Sequence, residues 1–172
     1  MPRIPFPDSA DLPPEHHDIF ESIQEKRGRV SDLFRVLAHS PDVLVRRLEY
    51  GESLRKLTIL DPKLRELAIL TVTFRNGGGY EFKAHMKHAS EAGVTPDQVA
   101  AIGDYATSTQ FSDHERRVMA YADEVTTRLN VSDGTWAAVA EFLNSRELVE
   151  LVLNVAWYNQ TARVTGPLGI GT

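Results

Sequence analysis

The sequence predicts an all-α fold of about eight or nine helices, on helix boundary signals and on the period of the apolar residues. Helix-start signatures recur at Ser40-Pro41-Asp42, Asp61-Pro62, Thr95-Pro96-Asp97 and at Ser112 with Glu115. In each, a small polar side chain can cap free N–H groups, and in the first three proline is pre-organised for the first turn. Apolar residues fall at helical spacing, as in Val118, Ala122, Val125 and Leu129. No segment shows the period-two alternation of a half-buried strand.

The elements follow in order. Pro2, Pro5, Pro7, Pro13 and Pro14 make residues 1–14 an extended arm, because proline fixes φ and removes a donor. Residues 15–172 then read as a single helical domain. Glu15 to Arg27 is a first helix with Ile19, Phe20 and Ile23 on one side, stopped by Gly28. Asp32 opens a short helix, and Pro41 to Leu57 a longer one. A helix from Pro62 runs through Leu67, Leu70 and Phe74 into Asn76-Gly77-Gly78-Gly79, four residues that favour turns. The next spans Tyr80 to Gly93, a C-terminal stop. A short helix starts at Thr95. Ser112 to Asn130 is amphipathic, with Ser112 and Glu115 matching a capping box. Ser132 caps a further short helix. Arg146 to Val164 is apolar nearly all round, which predicts burial in a core or an interface.

Composition narrows the chemistry. The chain has 172 residues, 42% of them hydrophobic and 25% charged, enough apolar surface for a core. A net charge of −5 gives no footprint for nucleic acid or an anionic membrane. No apolar run is long enough to span a bilayer. Residues Met1 to Asp8 lack the pattern of a secretory signal, so a cytoplasmic location is expected. Cysteine is absent, which removes disulfides, thiolate metal sites and any sulfur nucleophile.

The residues that could carry chemistry lie between Arg65 and His88. Glu81, His85 and His88 fall at i, i+4 and i+7, on one helical face. Glu66 sits on the preceding helix, where a helix hairpin can bring it towards the same face. A carboxylate beside an imidazole orients the ring, and such a pair can move protons to and from carbon or oxygen. The same spacing also describes an ordinary surface ion pair. A metal on Glu81, His85 and His88 is a further reading, although the spacing is neither Glu-x-x-His nor His-Glu-x-x-His. No cofactor is called for. Gly77-Gly78-Gly79 lacks the strand, lysine and hydroxyl of a phosphate loop. Asn154, Tyr158, Asn159 and Arg163 interrupt the apolar last helix; they could line a pocket or fix a subunit contact, and interhelical or intersubunit hydrogen bonding is the favoured reading. Arg163 could also attract a carboxylate.

Residues 65–70 (Arg-Glu-Leu-Ala-Ile-Leu), 76–85 (Asn-Gly-Gly-Gly-Tyr-Glu-Phe-Lys-Ala-His) and 92–99 (Ala-Gly-Val-Thr-Pro-Asp-Gln-Val), with 111–121 and 148–163, resemble the carboxymuconolactone decarboxylase family. That family shares the alkylhydroperoxidase D-like helical fold. The resemblance covers the chain from about Pro41 onward. The peroxidase branch carries Cys-x-x-Cys-x-x-x-His with an upstream glutamate. Aligned on His85, Gly78 and Glu81 stand where its cysteines would be, and Glu66 matches the glutamate. Thiol peroxidase chemistry is therefore not open to this chain. The decarboxylase branch is closer, with Glu-x-x-x-His and no redox pair. It implies a cofactor-free lyase acting on a small carboxylated lactone or oxygenated acid, and a homotrimer or homohexamer. On that reading His85 is the general acid/base, Glu81 its partner or a second acid/base, and Glu66 the residue that orients or tunes the pair. Tyr80, His88 and Arg163 are possible substrate contacts. A non-catalytic ligand binder or scaffold, and a metal-dependent enzyme, remain as alternatives.

Overall fold

A computed structural model describes residues 2–170. Among them are α1 (Ile19–Arg27), α2 (Asp32–Leu37), α3 (Pro41–Lys56), α4 (Pro62–Arg75), α5 (Gly79–Glu91), α6 (Pro96–Ala100), α7 (Asp113–Arg128), α8 (Asp133–Ala140) and α9 (Ser145–Leu168). Three short 3-10 turns complete the regular structure, and no strand occurs among the described residues. No helix of the described residues is long and apolar enough to cross a membrane.

The boundary signals act as their chemistry requires. The Asp61 side chain accepts from the N–H groups of Lys63 and Leu64 at 2.9 and 3.0 Å, and Pro62 follows at the first helical position. Ser112 and Glu115 form a reciprocal capping box, as do Thr95 and Gln98. Several ends differ from the sequence reading, and the last helix runs on to Leu168 past the expected end at Val164. The first α-helix starts at Ile19 rather than Glu15, because Pro14–His16 is taken up in a 3-10 turn. The amphipathic seventh helix ends at Arg128. Leu129 leaves the apolar stripe, adopts a left-handed φ of 62° as the C-cap, and is 84% exposed.

By its contacts the chain divides into two compact units, residues up to Lys56 with those from Val164, and Leu57–Arg163. In the first, Leu12, Ile19, Ile23, Ala38 and Leu44 form the core. The proline-rich arm is tied to this unit. His39 Nε2 donates to the Pro5 carbonyl at 2.8 Å, His17 Nε2 to the Leu12 carbonyl at 2.9 Å, and the Arg35 guanidinium lies 4.0 Å over the Phe6 ring.

The second unit is organised by α4, which packs chiefly against α7 and α5. Eight consecutive α4 residues, Glu66 to Thr73, are buried, so the helix has apolar contacts on all sides. Ala68, Ile69 and Val72 join a cluster with Val118, Ala122, Leu151, Val155 and Tyr158. Leu67 and Leu70 join another with Ala89, Ile102, Phe111 and Met119. The buried hydroxyls of Thr71 and Thr73 are satisfied by donating back to Leu67 and Leu70 carbonyls at 2.8 and 3.0 Å. The last helix is divided instead. Leu151, Asn154, Val155 and Tyr158 face inward, whereas Val149, Val152 and Leu153 are exposed.

Candidate active site

The helix pair α4–α5 brings a carboxylate onto an imidazole. Glu66, 3% exposed, lies in the enclosed part of α4. His85, 7% exposed, is on the inner face of α5 with the half-buried Phe82 and buried Ala89, at i−3 and i+4. The two side chains meet at 2.9 Å between His85 Nδ1 and Glu66 Oε2. A carboxylate can only accept, so Nδ1 carries a proton, and in the neutral imidazole the lone pair lies on Nε2. The Arg65 Nε lies 3.6 Å from Glu66 Oε1, placing a cation beside the carboxylate. The Tyr158 ring meets the imidazole edge-on, 4.7 Å between centroids at 87°.

The turn between α4 and α5 sets this approach. Gly77 and Gly78 take φ values of 80° and 25°. At Gly78 a Cβ would stand 2.6 Å from the Thr73 carbonyl oxygen, so the turn needs glycine there for space as well as for φ.

The other sequence-chosen residues fall as follows. Glu81 is half-buried in the first turn of α5, and Tyr80 is half-buried beside it. His88 is exposed, its ring 5.7 Å from that of His85, with Glu91 Oε2 3.6 Å from its Nδ1. Arg163 is exposed and its Nη1 donates to the carbonyl and to Oδ1 of Asn159, both at 2.9 Å. Among the described residues no group of three or more His, Asp or Glu side chains is arranged to hold a metal. The proposed ligand set on α5 is not assembled, because His85 turns inward onto Glu66 while His88 turns out towards Glu91. The sequence reading gives Arg65 and Tyr158 no role beside the Glu66–His85 pair, although it places Arg65 in the chemical segment and Tyr158 among groups that could line a pocket. Adjacency to Glu66 was the available signal for Arg65.

A second polar cluster braces the same unit. Asp123 Oδ2 accepts from Arg75 Nη2 at 2.7 Å and from the Tyr105 hydroxyl at 3.0 Å. Burial, with the Asp123 charge beside it, pushes the Tyr105 hydroxyl up to about 12. It remains a neutral donor at any physiological pH.

The helical arrangement around α4 matches the alkylhydroperoxidase D-like all-α fold. Residues 41–124 match the model of the carboxymuconolactone decarboxylase family, and this match and the fold are consistent with the carboxymuconolactone decarboxylase and alkylhydroperoxidase D-like superfamily. No curated protein matches the sequence closely. Among solved structures, the chain is similar to an uncharacterised peroxidase-related protein from Ralstonia eutropha JMP134, at 21% identity and a TM-score of 0.82, covering 98% of this chain and 90% of that one. It is similar to another from Silicibacter sp. TM1040, at 19% identity and 0.83, with the same coverage. It also resembles a cysteine-to-alanine variant of the debrominase Bmp8 in complex with 2,3,4-tribromopyrrole, at 15% identity and 0.79, covering 99% and 92%. At these identities the likeness is one of fold.

Proposed function

We propose that this chain is a cofactor-independent enzyme of lyase type, acting by general acid/base chemistry on a small carboxylated lactone or oxygenated acid. The observation that carries the reading is the buried Glu66–His85 pair in a chain with no cysteine. His85 Nε2 is the proton-transfer atom. Glu66 fixes the tautomer through Nδ1 and balances the imidazolium whenever Nε2 is protonated. Loss of carbon dioxide breaks a carbon–carbon bond and leaves its electron pair as an enolate on a neighbouring carbonyl. Nε2, having taken a proton from the substrate's carboxylic acid or from water, then delivers that proton to carbon and returns to its neutral form. Glu81, one turn before His85, is the second acid/base group, and Tyr80 and His88 are the nearby side chains offered for substrate contact. Peroxidase chemistry of the thiol kind has no nucleophile here.

The test is a screen of small carboxylated lactones and keto acids followed by carbon dioxide release. A hit should lose at least about 10²-fold in turnover in His85→Ala, and a comparable amount in Glu66→Gln, where an amide no longer dictates the tautomer. Near-full activity in both variants removes the assignment. Gly78 and Glu81 at the two cysteine positions of the resembled peroxidase branch favour a second reading, a ligand-binding member of the fold without turnover. It predicts saturable binding of such acids and no product. We further propose that copies of the chain associate as a homotrimer or homohexamer, a reading supported by the exposed apolar residues Val149, Val152 and Leu153 on α9.

A further inference from the structure

We infer that Asn159 is a positioning residue for His85, acting through the glycine turn that launches α5. The helix carrying His85 has no side-chain cap at its start, where Gly78 occupies the N-cap. Asn76 carries the one side chain of the Asn76-Gly77-Gly78 turn, and it is anchored. Its Nδ2 donates to the Val72 carbonyl at 3.0 Å and to Asn159 Oδ1 at 3.2 Å.

Asn159 is saturated. Its Oδ1 accepts from Asn76 and also from Arg163 Nη1 at 2.9 Å. Its Nδ2 donates to Thr126 Oγ1 at 2.9 Å and to the Val155 carbonyl at 3.1 Å. The Thr126 hydroxyl donates in turn to the Ala122 carbonyl at 2.6 Å, which leaves its oxygen to accept from Asn159. Rotating the amide by half a turn would set its NH2 against two donors and its oxygen against the Val155 carbonyl, so one orientation alone satisfies the group. Asn159 thus ties the end of α4 to α7 and α9. The preceding residue, Tyr158, meets the His85 ring directly. Two successive α9 residues therefore hold both the root of α5 and the imidazole it carries. Arg163, a possible substrate contact on sequence grounds, belongs to this knot and helps lock the Asn159 amide.

The role in catalysis rests on the acid/base reading of His85, but the test does not need turnover. In 15N-labelled full-length protein, the two ring nitrogens of His85 are read by long-range proton–nitrogen correlation and assigned by their loss in His85→Gln. The intact protein should show a single Nδ1–H tautomer with a slowly exchanging proton. Asn159→Ala and Asn76→Ala should each move the two nitrogen shifts towards one another. Each should also speed exchange of the Nδ1 proton by about five- to tenfold, as expected for one lost hydrogen bond. The double variant should add little. Glu124→Gln, which loosens the Ser132 contact elsewhere in the same unit, should leave the ring unchanged. Unaltered His85 nitrogens in the folded variants, or an equal change in Glu124→Gln, overturns the inference. Should Asn159→Ala fail to fold, the exposed Asn76→Ala decides. A blank substrate screen would overturn the enzymatic reading and leave this one standing.

Discussion

Replacing Glu150 by alanine should release the loop that feeds α4. The Glu150 carboxylate is buried on α9, where Oε2 accepts from the N–H groups of Ile59 and Leu60 at 2.7 and 2.8 Å and Oε1 from Arg146 Nε at 2.9 Å. Leu60 is 1% exposed, so its N–H finds no water once the carboxylate is gone, and stranding it costs about 1–3 kcal/mol. Ile59 is half exposed and recovers a solvent partner. Its loss and that of the Arg146 pair, whose guanidinium end is exposed, add about 1 kcal/mol together. Glu150→Ala should therefore lower stability by about 2–4 kcal/mol, moving the urea midpoint by roughly 1–2 M at unchanged slope. The pH dependence has a defined sign. Burial pushes the Glu150 carboxyl up, but hydrogen bonds from Leu60, Arg146 and Ile59 outweigh it and hold the group below its usual 4.5. The stabilisation is fully present above the unfolded value and is lost as pH falls through the lower folded value. The gap between wild type and variant should be flat from about pH 6 to 8 and shrink at acid pH. A gap below about 0.5 kcal/mol at pH 7, or one that widens on acidification, would refute the reasoning.

Gly78→Ala should destabilise by about 2 kcal/mol or more, because both the positive φ and the Thr73 carbonyl oppose a Cβ. Gly77→Ala, with open space around the added carbon, should cost only about 1 kcal/mol in the same urea titration, and equal costs would contradict the packing argument. Light scattering at micromolar concentration should give three or six times the 19.2 kDa chain mass, and charge placed at Val149 or Leu153 should reduce it towards the monomer. A monomer in the unmodified protein would end the oligomer proposal.

Much of the helix order was legible because its signals are local. Asp61-Pro62, Thr95-Pro96 and Ser112 with Glu115 begin helices for reasons contained in four residues. Leu129 shows the limit, since its period fits the helix while its backbone has already turned out of it. The site divides in the same way. The spacing of Glu81 and His85 is visible in the sequence, yet the residue on His85 Nδ1 is Glu66, nineteen positions away on another helix. That pairing depends on the angle at which α5 leaves its glycine turn, and the angle depends on Asn76 and Asn159, which are separated by 83 positions. The burial of eight consecutive α4 residues, too, was not apparent from a helix with Arg65, Glu66 and two threonines among its residues. It follows from α5 and α7 packing around it.

The backbone at Gly78 also limits what can be engineered into this turn. A β-carbon there would stand 2.6 Å from the Thr73 carbonyl oxygen. Cysteines written in at 78 and 81 would therefore not make a working thiol pair, because the loop would have to be re-laid before a side chain could sit at the first of them. What the peptide path excludes, a change of two residues does not restore.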